Sequence, residues 1–160
     1  MRYTKQNILR GAVIYASGDT IAAFLLGAFS WERLLGMVIV GATFYAFEIP
    51  NYFNWIEKKV KEKTGFLASL YKTALAVLYF NPLWIARHLL FIMLFSGQIQ
   101  EISWGLLRIA SWSFLVNIPI SLLANFIIQN KIPLKWRFLA SAIFSALMAI
   151  YYALSIVFFK

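Results

Sequence analysis

Five apolar runs, each bounded by charged or turn residues, dominate this sequence: residues 7–29, 34–56, 66–95, 104–128 and 134–159. About 20 helical residues cross the hydrocarbon core of a bilayer, so each run is long enough to span one. Transmembrane strands would alternate in polarity over about ten residues, whereas these runs are near-continuous. The pattern predicts an all-α integral membrane protein in which residues 1–160 form a single transmembrane domain. That domain is a bundle of about five hydrophobic helices, making four to five crossings, with each backbone polar group satisfied inside its own helix.

Composition supports lipid as the solvent. The chain is 62% hydrophobic and 13% charged, with 15 Phe, 8 Tyr and 6 Trp, against about 45–50% apolar and about 25% charged in soluble domains. A soluble enzyme, a disordered tail and a disulfide scaffold are thereby excluded. With no Cys, thiol chemistry and Cys-ligated metals are excluded too. The first run exceeds the usual signal-peptide core and lacks a clear cleavage region, so it reads as a retained span.

The net charge of +9 would point to nucleic acid in a soluble protein, but here the cations lie between apolar runs. Arg2, Lys5 and Arg10 flank the first run. Lys58, Lys59, Lys61 and Lys63 follow the second, interleaved with Glu57 and Glu62 and with Lys72 just beyond. Lys131, Lys135 and Arg137 follow the fourth. All three groups fall on one side of a five-span topology, and the other side receives only Arg33, Arg108 and Lys160. The positive-rich side is the cytoplasmic one, which places the N-terminus inside and, if the fifth run crosses, the C-terminus outside. Lipids, not nucleic acid, are the expected partners.

Pro50, Pro82 and Pro119 lie inside the second, third and fourth runs. Each removes a helical hydrogen bond and predicts a bend; at Asn81-Pro82 the alternatives are one kinked helix or two half-helices. Small residues at four-residue spacing mark close-packing faces: Ser141, Ser145, Ala149 and Ala153 in the fifth run, and Ala12/Ala16, Gly18/Ala22 and Ala23/Gly27 in the first. These faces are consistent with internal packing, with a homo-oligomer, or with both.

Ionisable groups at membrane depth are costly and need a partner or a cavity. Asp19, Glu48, Arg87 and His88 are the candidates for a buried ion pair or a polar pathway, together with Asn51, Asn81, Asn117 and Asn125. Counting about 1.5 Å per residue puts Asp19 and Arg87 at similar depth and predicts that they pair or share a cavity with His88. The same count brings Glu48 within reach of Arg10 or Lys72. His88 is the sole His and has no carboxylate at ligand spacing on its own run, so a metal site is not expected. No nucleophilic set emerges, and no cofactor or enzymatic activity is expected.

The stretch from Pro119 through Asn125-Phe126 to Pro133 and Arg137 resembles the Trp-Pro-x-x-Gln-x-x-Asn-Phe…Val-Pro-x-x-x-Arg signature of the Mpv/PMP family, small integral proteins of peroxisomal and mitochondrial inner membranes. Gly18-Asp19, Arg33, Gly41, Phe44, Lys72, Phe80, Pro82 and Leu154-Ser155 follow in family order. Where the family has Gly-Pro-x-x-His-x-Trp-Tyr this chain has 46–53 as Ala-Phe-Glu-Ile-Pro-Asn-Tyr-Phe, and Ile118 and Leu122 replace the family's Trp and Gln. The resemblance implies a remote relative, with a prokaryotic source as one reading, acting as a weakly selective channel or small-solute permeability protein. A non-conducting scaffold or assembly factor is the alternative. On this likeness Arg137 is expected to cap carbonyls after the fourth helix or pair with phosphate headgroups, and Asn125 to bond across to another helix.

Overall fold

The computed structural model describes residues 3–61 and 64–158. Arg2, Glu62, Lys63 and Lys160 of the charge pattern lie outside the described residues, as do the side chains of Ala149, Ala153, Leu154 and Ser155.

Helix α1 spans Lys5–Leu25 and starts where the Thr4 hydroxyl accepts the Asn7 amide at 3.2 Å, a side-chain cap on an otherwise orphaned donor. Helix α2, Trp31–Val40, starts in the same way from Ser30, which accepts the Arg33 amide. It passes through a π turn at Gly41–Tyr45 into α3, Ala46–Val60, which contains Pro50. The third run is two helices, α4 (Gly65–Tyr79) and α5 (Pro82–Phe95). A 3-10 turn at Ile99–Glu101 leads to α6, Gly105–Asn130, which carries Pro119, and α7 covers Leu134–Phe158. No strand occurs among the described residues.

Lys5–Leu25, Trp31–Val60, Gly65–Phe95 and Gly105–Asn130 are each long and apolar enough to cross a membrane. The chain is an integral membrane protein built as an α-helical bundle. Its outer surface is a coat of large apolar side chains, with Leu9, Leu67 and Leu123 each more than 60% exposed, which water would not tolerate at this density.

The break in the third run resolves the alternatives left open by Asn81-Pro82. Pro82 has no N–H for the Leu78 carbonyl four residues back, and the Asn81 side chain replaces it, donating Nδ2–H to Leu78 O at 3.0 Å. The other end of the same amide caps α5, since Asn81 Oδ1 accepts the Leu83 and Trp84 amides at 2.8 and 3.1 Å. One residue therefore closes one half-helix and opens the next. The second does not fold back: Lys72 of α4 meets Glu57 near the end of α3, and Phe95 at the far end of α5 covers Gly36 in α2.

Close packing uses the small residues internally. Gly11 of α1 and Gly41 of the π turn face each other so closely that a methyl group on either would overlap the other's carbonyl. A methyl on Gly18 would come within 2.7 Å of Ala146 in α7. Ala16, Ala22 and Ala23 of α1 and Ser141, Ala142 and Ser145 of α7 are buried. Apart from Gly27, which is exposed beyond the end of α1, the described parts of both stripes thus serve helix contacts within one chain.

Candidate functional site

The helical run from α2 through α3 carries a polar side chain at four levels, and each meets a partner on another helix. Arg33 meets Asp19 of α1; Tyr45 meets His88 of α5; Glu48 meets Arg87 of α5 and Tyr79 of α4; Glu57 meets Lys72 of α4 and Arg137 of α7. From Arg33 to Glu57 the rise is about 36 Å, comparable with a hydrocarbon core of about 30 Å. Polar contacts therefore run through the bundle from one end to the other.

The first level is the most deeply buried of the three charged levels. Arg33 donates Nε–H and Nη2–H to the two carboxylate oxygens of Asp19 at 2.7 and 2.6 Å, with side chains only 5% and 1% exposed. This fork-on-fork arrangement matches guanidinium to carboxylate geometrically. It corrects the expected Asp19–Arg87 pairing. A count of depth makes Arg33 an interfacial flank, but the short connection 26–30 sets α2 directly against α1, and the long Arg33 side chain turns into the bundle.

Arg87 is engaged elsewhere. It donates to Glu48 through Nη1 at 3.0 Å and Nη2 at 2.6 Å, and the Tyr79 hydroxyl donates to the same carboxylate at 2.9 Å. Both charged side chains remain about one-third exposed. They line a lateral cleft of about 380 Å³ that also includes Tyr52, Asn81 and Trp84, so the helix break opens beside a charged pair. The expected partners of Glu48 are both occupied differently: Lys72 bonds Glu57 at 2.8 Å, and the Arg10 guanidinium lies over Trp136, 4.9 Å from the ring centre. The direction of α5 beyond the break, invisible to a residue count, selects Glu48 for Arg87.

His88 sits between these two pairs without bonding to either. Its Nδ1 is 2.9 Å from the Tyr45 hydroxyl, and its ring stacks on Trp84 at 5.6 Å with an interplanar angle of 7°. The Tyr45 ring in turn lies 4.5 Å from Tyr15 and 6.0 Å from the Arg87 guanidinium. Among the described residues no three metal-ligating side chains gather.

At the other end Arg137 donates Nε–H to Ile132 O at 2.8 Å and pairs with Glu57. It meets a carbonyl just past α6, and a carboxylate stands where a headgroup phosphate was the alternative. Pro133 precedes α7 and its carbonyl accepts the Trp136 amide; Phe126 O accepts Asn130 Nδ2–H, which also reaches Ser69 O and Thr73 of α4. Asn130, not Asn125, makes the cross-helix contact. Asn125 donates to Ser121 O of its own helix at 2.9 Å, which corrects the expected interhelical bond: at four-residue spacing the nearest carbonyl is intrahelical.

The candidates Asn117 and Asn125 belong to a longer polar stripe. Ser113, Asn117, Ser121, Asn125 and Gln129 recur every fourth residue on α6, and all five are buried. Asn117 donates to Ser121 Oγ and to Met148 Sδ of α7 at 2.9 and 3.1 Å. The signal was present as a polar stripe at helical period in an otherwise apolar run. A further polar cleft of about 270 Å³, among Thr4, Asn7, Arg10, Pro50 and Lys135, lies at the end where α1 begins. Compared with protein-family models, curated proteins and solved structures, the chain matches none of them.

Proposed function

We propose that the protein is a non-enzymatic, weakly selective permeability protein that lets small polar solutes cross its membrane. The observation that carries this reading is the ladder of four polar levels along α2–α3, covering about the thickness of the hydrocarbon core. Intramembrane charge is expensive enough to mark solute and ion pathways, and one rung, Glu48–Arg87, opens on a lateral cleft. The resemblance to the Mpv/PMP family supports the same reading.

Purified protein in liposomes loaded with small polar solutes is expected to release them faster than protein-free liposomes. Glu48→Gln combined with Arg87→Gln removes both charges together, and should alter release by about tenfold, equivalent to ~1.4 kcal/mol on the barrier. Release no faster than from protein-free liposomes would remove the permeation reading. It would favour the second one, a scaffold or assembly factor, for which the mutual satisfaction of the pairs speaks: in a sealed bundle they fix helix register.

The cation pattern supports an N-terminus on the cytoplasmic side or its equivalent. Cys introduced at Lys61 and at Gln98 should react with an impermeant thiol reagent from opposite faces of sealed vesicles, Lys61→Cys from the cytoplasmic face. Labelling of both from one face is the outcome incompatible with this topology.

A further inference from the structure

Among the described residues, the α6 polar stripe contains groups that no protein atom satisfies. Asn125 is 2% exposed and Trp84 6%, and among the described residues neither Asn125 Oδ1 nor Trp84 Nε1 has a hydrogen-bond partner. The orientation of the Asn125 amide is settled by chemistry: Ser121 O accepts only from an N–H, so Nδ2 points back along α6 and Oδ1 points away. Both residues line one small void of about 10 Å³, walled also by Phe80, Ser121, Ser145, Phe144 and Met148. Inside a bilayer no bulk solvent reaches such groups.

Size and chemistry together select the occupant. A void of this volume admits the centre of one water molecule and little else. The indole N–H can only donate and the amide oxygen can only accept, so the ligand must accept on one side and donate on the other. A cation fails at the indole and an anion fails at Oδ1. The Ser121 hydroxyl, whose oxygen already accepts from Asn117, still has a proton to give, and Ser145 adds a second hydroxyl from α7. A water here has the two to four polar partners that buried waters require.

We propose that this void is a binding site for a single ordered water, which hydrogen-bonds the start of α5 to α6 and α7. Trp84 is the residue whose amide is capped by Asn81 at the helix break. The water therefore pins the half-helix immediately after its break. The site is independent of whether the protein conducts, so loss of the permeation reading leaves it standing.

The other five Trp, at 31, 55, 104, 112 and 136, are all more than 40% exposed, so a full-length variant with Phe at those positions keeps Trp84 as its sole indole without touching the site. With this protein ¹⁵N-labelled in phosphatidylcholine nanodiscs, the Trp84 indole proton is expected to show a magnetisation-transfer cross-peak to bound water. Ser145→Val, which fills the void, should abolish that peak while leaving the indole resonance in place. Absence of the peak before that change, or its persistence after it, overturns the proposal. Should the five-fold variant fail to fold, the same pair of spectra from the wild-type background and Ser145→Val, with Trp84→Phe to identify the resonance, gives the same decision.

Discussion

Arg33→Leu should destabilise the folded bundle by about 3–5 kcal/mol, the range for removing one partner of a buried ion pair. The cost arises from what remains. Asp19 is 1% exposed, and its two oxygens accept from Arg33 at 2.6 and 2.7 Å; without the guanidinium its carboxylate is buried beside no cation that bonds it. Combining Arg33→Leu with Asp19→Leu removes both charges and should recover a substantial part of the loss, a coupling that adjacent partners show and independent sites do not. Equilibrium unfolding in mixed micelles measures all three variants. A single Arg33→Leu variant with wild-type stability would mean that this pair is not formed.

Gly41→Leu should be comparably damaging for a different reason. At the Gly11–Gly41 crossing each residue's missing side chain makes room for the other's carbonyl, so the helix backbones meet with nothing between them. Lipid tails are as apolar as leucine, and helix association in membranes rests on such close contact. Gly41→Ala already places a carbon on the Gly11 carbonyl and should cost about 1–3 kcal/mol as overpacking; Leu cannot be housed without parting α1 from the π turn. Because both glycines serve one contact, Gly11→Ala and Gly41→Ala together should cost less than the sum of the two. Unfolding curves for Gly41→Leu that overlay the wild type would rule out the close crossing.

The helices were legible because their signal is long and redundant. Runs 134–159 and 104–128 correspond closely to α7 (Leu134–Phe158) and α6 (Gly105–Asn130), and no single residue decides them. Partners were not legible, because pairing depends on which helix lies alongside as well as on depth. Asp19 and Arg87 were matched by depth, yet α1 packs on α2, and Arg33 reaches Asp19 first. Arg33 itself looked like an end-of-helix cation because a sequence count cannot show that its side chain turns inward. The Asn81-Pro82 break was visible, but the double duty of the Asn81 amide was not. On α6 Asn117 and Asn125 were legible as polar candidates, but their place in a stripe with Ser113, Ser121 and Gln129, neutral residues whose burial is almost as demanding as that of charge, was not.

In the α2–α3 span, the π turn acts as a phase step between two gratings of equal pitch. Buried side chains recur at intervals of three or four on either side, through Arg33, Met37 and Val40 before it and Tyr45, Ile49, Phe53, Ile56 and Val60 after it, with a spacing of five from Val40 to Tyr45 across the turn, where the buried Gly41 has no side chain. Loss of one residue there would restore a uniform helix and turn everything beyond by about 100°. In water such a slip would be resisted by every Ile and Phe carried to the surface. In lipid it is not, since Ile49 and Phe53 are as well solvated outside the bundle as within it. The phase is therefore held by the groups that lipid will not solvate, Tyr45, Glu48 and Glu57 at their partners, and by the glycine crossing that admits only one rotation.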